Sequence, residues 1–176
     1  MKKPLVGIIM GSDSDYSVME ETSQILDRLG VPHDVLVASA HRSPERTRNY
    51  TKNAKRRGIK ILIAGAGGAA HLAGMLAAES TLPIIGVPID STSLSGLDSL
   101  LSTAQMPGGV PVATMAIGKP GARNAGILAA QILALTDENL NSRLLKYKKE
   151  QAKEVERKSK NLKSSNAGKN PGRSKR

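Results

Sequence analysis

The sequence predicts an α/β protein, a three-layer parallel sheet with helices on both faces. Three observations predict it. Short apolar runs alternate with helical patterns five times along the chain. The runs are aliphatic throughout, as strands covered on both faces require. Glycine or Ser-Pro steps punctuate the joins, where helices stop and start. Five such units suggest a flavodoxin-like sheet, with right-handed crossovers bringing every strand-to-helix loop to one edge. Ligands of such sheets bind outside the carboxyl ends of the strands, at the switch point.

Each element follows from local chemistry. Leu5 to Met10 is an unbroken apolar run ended by Gly11, the first strand. Val18, Ile25, Leu26 and Leu29 recur at helical spacing, and Gly30 closes that helix. Val35 to Val37 is the second strand. Ser43 is placed to cap the second helix, Pro44 fits its first turn, and Gly58 follows its end near Arg57. Ile59 to Ala64 is the third strand, and the third helix spans about His71 to Glu79. Pro83 to Val87 is the fourth strand, with a short helix from Gly96 to Thr103. Val112 to Ala116 is the fifth strand, and the Ala-rich stretch Gly121 to Leu135 is a buried helix. Thr136 is placed to cap a last, charged helix from about Asp137 to Lys158. Its apolar residues Leu140, Leu144, Leu145 and Val155 are few, so it is expected to pack on a neighbouring subunit. Residues 1–160 thus form one α/β domain, and 161–176 is expected to be a disordered basic tail.

Composition excludes several classes. The 176 residues contain no cysteine, so disulfides, thiolate metal sites and cysteine nucleophiles are excluded. With no Trp or Phe and three Tyr, stacking on nucleic-acid bases is nearly unavailable. No apolar run nears the ~20 residues of a membrane span, and the N-terminal run is too short for a secretory leader. The expected home is the cytoplasm. The net charge of +11 is unevenly spread. Residues 1–142 hold 13 Lys/Arg against 12 Asp/Glu, whereas 143–176 hold 13 against 3. The basic character belongs to the C-terminal end, where a solvated helix and tail explain it without nucleic acid.

The chemistry-bearing residues gather in the loops. The first strand leads into Gly11-Ser12-Asp13-Ser14-Asp15, the second into Ser39-Ala40-His41-Arg42-Ser43-Pro44, the third into Gly65-Ala66-Gly67-Gly68-Ala69-Ala70-His71-Leu72. Met106-Pro107-Gly108-Gly109-Val110-Pro111 precedes the fifth strand; the other three loops combine glycine or small hydroxyl residues with a helix start and are expected to meet. The 65–71 loop can cradle an anion, because glycines let backbone approach and a helix start presents N–H groups. Ser12 and Asp15 suit helix capping, and equally hydroxyl and carboxylate contacts to a phosphate or ribose. His41 can carry a proton near neutrality, and Arg42 can fork onto a phosphate. His33, after Pro32, reads as structural or exposed. Three scattered histidines offer no metal-ligand spacing, so no metal is expected. Dinucleotide, Walker-type and nucleophile-elbow motifs are absent. The residues alone describe a protein that binds a small phosphorylated ligand and has one candidate proton carrier.

Four blocks carry a resemblance: G-S-D-S-D (11–15), S-A-H-R-S-P (39–44), G-A-G-G-A-A-H-L (65–72) and M-P-G-G-V-P-V-A-T-M-A-I-G (106–118). In order and spacing they resemble the signature blocks of the PurE family of purine biosynthesis, over about residues 4–160. The resemblance implies a flavodoxin-like core assembled as a homo-octamer. It implies an isomerase converting N5-carboxyaminoimidazole ribonucleotide to 4-carboxy-5-aminoimidazole ribonucleotide, without ATP, biotin, metal or other cofactor. The family's second branch, aminoimidazole ribonucleotide carboxylase, tends to carry Lys after the loop His and a G-R-S-N-type third loop. Arg42 and the 65–72 sequence favour the mutase. By position, Arg42 and Ser12 would hold the phosphate, Asp15 the ribose, and His41 would be the general acid/base. Ser39, Gly67, His71 and Leu72 would complete the substrate site. Two other readings are a non-catalytic phosphosugar-binding domain, which does not need His41, and nucleic-acid binding through the tail, which would be salt-sensitive.

Overall fold

The computed structural model describes residues 3–167. Five parallel strands, β1 (Val6–Met10), β2 (His33–Val37), β3 (Ile61–Gly67), β4 (Ile84–Ile89) and β5 (Ala113–Thr114), form one sheet in the order β2-β1-β3-β4-β5. The order reverses at β1, so the loops after β1 and β3 diverge there and open a crevice. Strands β1, β3 and β4 are buried on both faces, which is why their sequences are unbroken aliphatic runs.

Six helices cover the sheet: α1 (Tyr16–Arg28), α2 (Pro44–Arg57), α3 (Leu72–Glu79), α4 (Leu97–Ala104), α5 (Lys119–Ala134) and α6 (Glu138–Ala167). Strand alternation divides the core. Ile8, Met10, Ile61 and Ile63 pack against α1 and α5, whereas Ile9, Leu62 and Ala64 pack against α2 and α3. The Ala-rich face of α5 lets it lie close on α1. A Cβ on Gly126 would collide with Ile25, and Thr22 Oγ1 donates to the Ala122 carbonyl at 2.7 Å. Full burial of each large aliphatic side chain contributes about 1.5–3 kcal/mol. Gly58, with φ +97°, ends α2 in the left-handed conformation that favours glycine.

Differences from the sequence reading lie at the ends of elements. β3 and β4 run through Gly67 and Ile89, beyond the expected Ala64 and Val87, because small residues and a proline at the edge still pair in register. The last helix is capped by Asp137, which accepts from the Leu140 N–H at 3.0 Å, not by Thr136. It continues to Ala167, so 161–167, assigned to the tail, is helical, and the rest of that tail lies outside the described residues. The first half of α6 packs against its own chain. Leu140, Leu144 and Tyr147 are buried in the core, Arg143 Nε donates to the Leu29 carbonyl at 2.7 Å, and Arg28 pairs with Glu150 at 2.8 Å. Leu145 and Val155, grouped with them by sequence, are exposed. No helix among the described residues is long and apolar enough to cross a membrane.

Candidate active site

The crevice at the carboxyl edge of β1, β2 and β3 holds a cavity of about 410 Å³. Every residue expected to catalyse or to bind substrate lines it: His41, Ser12, Asp15, Arg42, Ser39, Gly67, His71 and Leu72.

The loop after β1 is a reciprocal cap on a single 3-10 turn, Asp13–Asp15. Ser12 Oγ accepts from the Ser14 N–H, and Asp15 Oδ2 accepts from the Ser12 N–H at 3.0 Å. Asp15 is 5 % exposed, and burial raises its carboxyl above the usual value, against the N–H bonds and the nearby Arg42 charge that favour ionisation. The capping residues thus face the cavity, because the helix start is its wall.

The loop after β2 is wound around one hydroxyl. Ser39 Oγ accepts from the N–H groups of His41 (3.3 Å) and Arg42 (3.1 Å), while Ser43 Oγ donates to the Ser39 carbonyl at 3.2 Å. Ser43 therefore ties the loop shut instead of capping α2 with its side chain. Ser39 Oγ thereby fixes the two residues that follow. Arg42 Nη2 donates to the Gly11 carbonyl at 3.1 Å, which holds the guanidinium over the end of β1.

In the loop after β3, expected to cradle an anion, two backbone donors bond within the chain. The Ala70 N–H donates to Gly68 O (2.8 Å) and Ser102 Oγ (3.1 Å), and the His71 N–H to Ala69 O (2.8 Å). Those two donors are spent within the chain. His71 sits at the cap position of α3 without capping it; its Nδ1 lies 2.8 Å from His41 Nε2, with the rings edge to face. One proton occupies that contact, so the pair fixes the orientation of His41. His33 is structural: its Nε2 meets Ser23 Oγ at 2.5 Å and its Nδ1 the Val31 carbonyl at 3.1 Å.

Sequence reasoning missed one loop, the one after β4. Residues 106–111 lie at the amino end of β5. Gly109 and Pro111 line a separate hollow of about 530 Å³ with Ser80, Leu82 and Ile84, which carries no titratable side chain. Conversely, Ser91, just past β4, lines the active-site cavity, as does Ser14. The loop after the fourth strand was not among those singled out by sequence; the carboxyl-end rule applied to that strand would have found it. Among the described residues, no group of three or more His, Asp or Glu could hold a metal ion.

Asp15 offers a test of this electrostatic picture. Its raised carboxyl means the native chain holds the proton more tightly than the unfolded one, so ionisation costs stability as pH rises through the carboxylate range. That cost is fully present at neutral pH. Asp15→Asn should therefore melt at or slightly above wild type at pH 7, with the difference vanishing in acid, while ligand affinity falls. Thermal melts across pH check this, and a lower melting temperature at pH 7 would contradict it.

Sheet order, crevice and cavity together define a doubly wound α/β protein whose switch-point pocket suits a small anionic ligand. The chain belongs to the AIR carboxylase family, whose model matches residues 5–154. N5-carboxyaminoimidazole ribonucleotide mutase of Bacillus subtilis is 59% identical over 153 residues, covering 87% of this chain and 94% of that one. The mutase of Pyrococcus horikoshii is 54% identical over 161 residues, covering 92% and 90%. A crystal structure of Treponema denticola PurE superposes with a TM-score of 0.82 at 28% identity, covering 91% of this chain and 99% of the other.

Proposed function

We propose that this protein is an isomerase of purine biosynthesis, converting N5-carboxyaminoimidazole ribonucleotide to 4-carboxy-5-aminoimidazole ribonucleotide. The observation that carries the mechanism is the His41–His71 contact beside Arg42, Ser12 and Asp15 in one cavity. Arg42 and Ser12 hold the phosphate, Asp15 the ribose, and Ser39, Gly67, His71 and Leu72 complete the wall. Protonated His41 gives its proton to N5 as the N5–carboxyl bond breaks, releasing carbon dioxide. C4 adds to the carbon dioxide, forming the new C–C bond, and neutral His41 removes the C4 proton, restoring the aromatic ring. One proton enters and one leaves, so the imidazole is regenerated without any cofactor.

Released carbon dioxide must stay put, which requires excluding water. His41, Arg42 and His71 are exposed in the single chain, so cover must come from elsewhere. A homo-octamer supplies it. Exposed Leu94, Leu97 and Leu101 on one side of α4, and Leu135, Leu145 and Val155 near the C-terminal helix, support such an assembly. The cytoplasm is the fitting compartment. Light scattering at micromolar protein should give the mass of eight chains; a monomer would contradict the assembly.

The direct test is turnover of N5-carboxyaminoimidazole ribonucleotide by the purified protein with no ATP or bicarbonate added. Product should form. Activity seen only from aminoimidazole ribonucleotide plus carbon dioxide would assign the carboxylase reaction instead.

A further inference from the structure

Gly67 was expected to be glycine so that backbone could approach a phosphate; the structure supplies another reason. Its φ is not positive, so any residue could adopt its backbone. Space is what forbids a side chain. A Cβ at Gly67 would overlap Ser91 Oγ, lie 2.8 Å from Ser91 Cβ and 3.2 Å from the Ile89 carbonyl. Gly67 pairs with Ile89 in the sheet register, so the end of β3 is bare where the chain leaving β4 brings Ser91 across it.

Four serines line the cavity, and three have spent their hydroxyls within the chain. Ser12 Oγ donates to Asp13, Ser14 Oγ to Ser12, and Ser39 Oγ accepts from two backbone N–H groups. Among the described residues, none hydrogen-bonds the Ser91 hydroxyl. A hydroxyl held over a bare glycine, facing a cavity and without a partner, is set to meet a ligand.

Its position says which part. In the order β2-β1-β3-β4, Arg42 follows β2 and Ser91 follows β4, three strand spacings away, about 14 Å. The His41–His71 pair bridges the loops after β2 and β3. A ribonucleotide with its phosphate at Arg42 and Ser12 therefore runs its imidazole ring toward β4. We infer that the Ser91 hydroxyl donates to the carboxylate carried by the ring end of the ribonucleotide, and that residue 67 is glycine to let it stand there. The inference rests on the mutase reading and its phosphate placement.

The test compares wild type, Ser91→Ala, Gly67→Ala and Gly67→Ala combined with Ser91→Gly. Each is assayed for turnover, melted, and titrated calorimetrically with the 4-carboxylated ribonucleotide and with aminoimidazole ribonucleotide, which lacks the carboxyl. Ser91→Ala should weaken the carboxylated ligand at least tenfold, the effect of one hydrogen bond to a charged group. It should raise KM similarly and change affinity for the carboxyl-free ligand less than twofold. Gly67→Ala should show the same loss, because its Cβ expels Ser91. The combined variant should regain wild-type melting without regaining affinity. A silent Ser91→Ala in an active background overturns this inference alone, as does equal weakening of both ligands or recovery of affinity in the combined variant. A wild type that fails to convert the substrate overturns the mutase reading and this inference with it.

Discussion

His41→Asn should abolish isomerisation while leaving ribonucleotide affinity within a few-fold of wild type. Asn is near in size and still donates a hydrogen bond, so the loop wound around Ser39 keeps its shape; its bonds are made by the backbone N–H groups of residues 41 and 42. What is lost is the imidazole, the group that can both give and take a proton. General acid–base catalysis contributes roughly 10²–10⁴-fold, and His41 serves twice, at N5 and at C4, so the loss should approach the upper end. Arg42, Ser12, Asp15 and Ser39 remain to bind phosphate and ribose. Calorimetry with the product and a turnover assay on the same preparation separate the two effects. Turnover within about tenfold of wild type would move the role to His71, whose Nδ1 lies 2.8 Å from the lost ring nitrogen.

How much of this site could be read without coordinates follows from the kind of interaction that builds it. His41 and Arg42 were recognisable because a His-Arg step in a strand-end loop is a local pattern. The parallel sheet and the edge that carries its loops followed from alternating aliphatic runs, since a sheet covered on both faces constrains every residue of β1, β3 and β4. Contacts between distant segments were not recognisable. The Ser91–Gly67 approach joins the end of β3 to the chain just past β4, and nothing in either local sequence announces it. The meeting of His41 with His71 spans thirty positions. The last helix shows the same limit: Leu144 and Leu145 are identical neighbours, yet one is buried in the core and the other is exposed. Helical phase against α5 decides between them.

Arg42→Lys should raise the dissociation constant for the ribonucleotide by roughly five- to 150-fold, corresponding to about 1–3 kcal/mol for a charge-assisted hydrogen bond. The charge is retained, so long-range attraction of the phosphate survives; the planar fork is what disappears. In the structure the guanidinium uses one N–H group, on Nη2, to hold the Gly11 carbonyl at 3.1 Å, which aims the remaining donors across the mouth of the cavity. An ammonium on a flexible stem can satisfy that carbonyl or reach the phosphate, but it cannot do both with fixed geometry. Folding should be untouched, because Arg42 is exposed and its other tie is the backbone bond from its N–H to Ser39 Oγ. Turnover at saturating substrate should fall less than affinity, since proton transfer belongs to His41. A phosphate-free nucleoside should bind wild type and variant alike, because the missing fork has nothing to grip. Unchanged KM and turnover in Arg42→Lys would remove Arg42 from the phosphate end, and equal loss for the nucleoside would place it on the ribose or the ring instead.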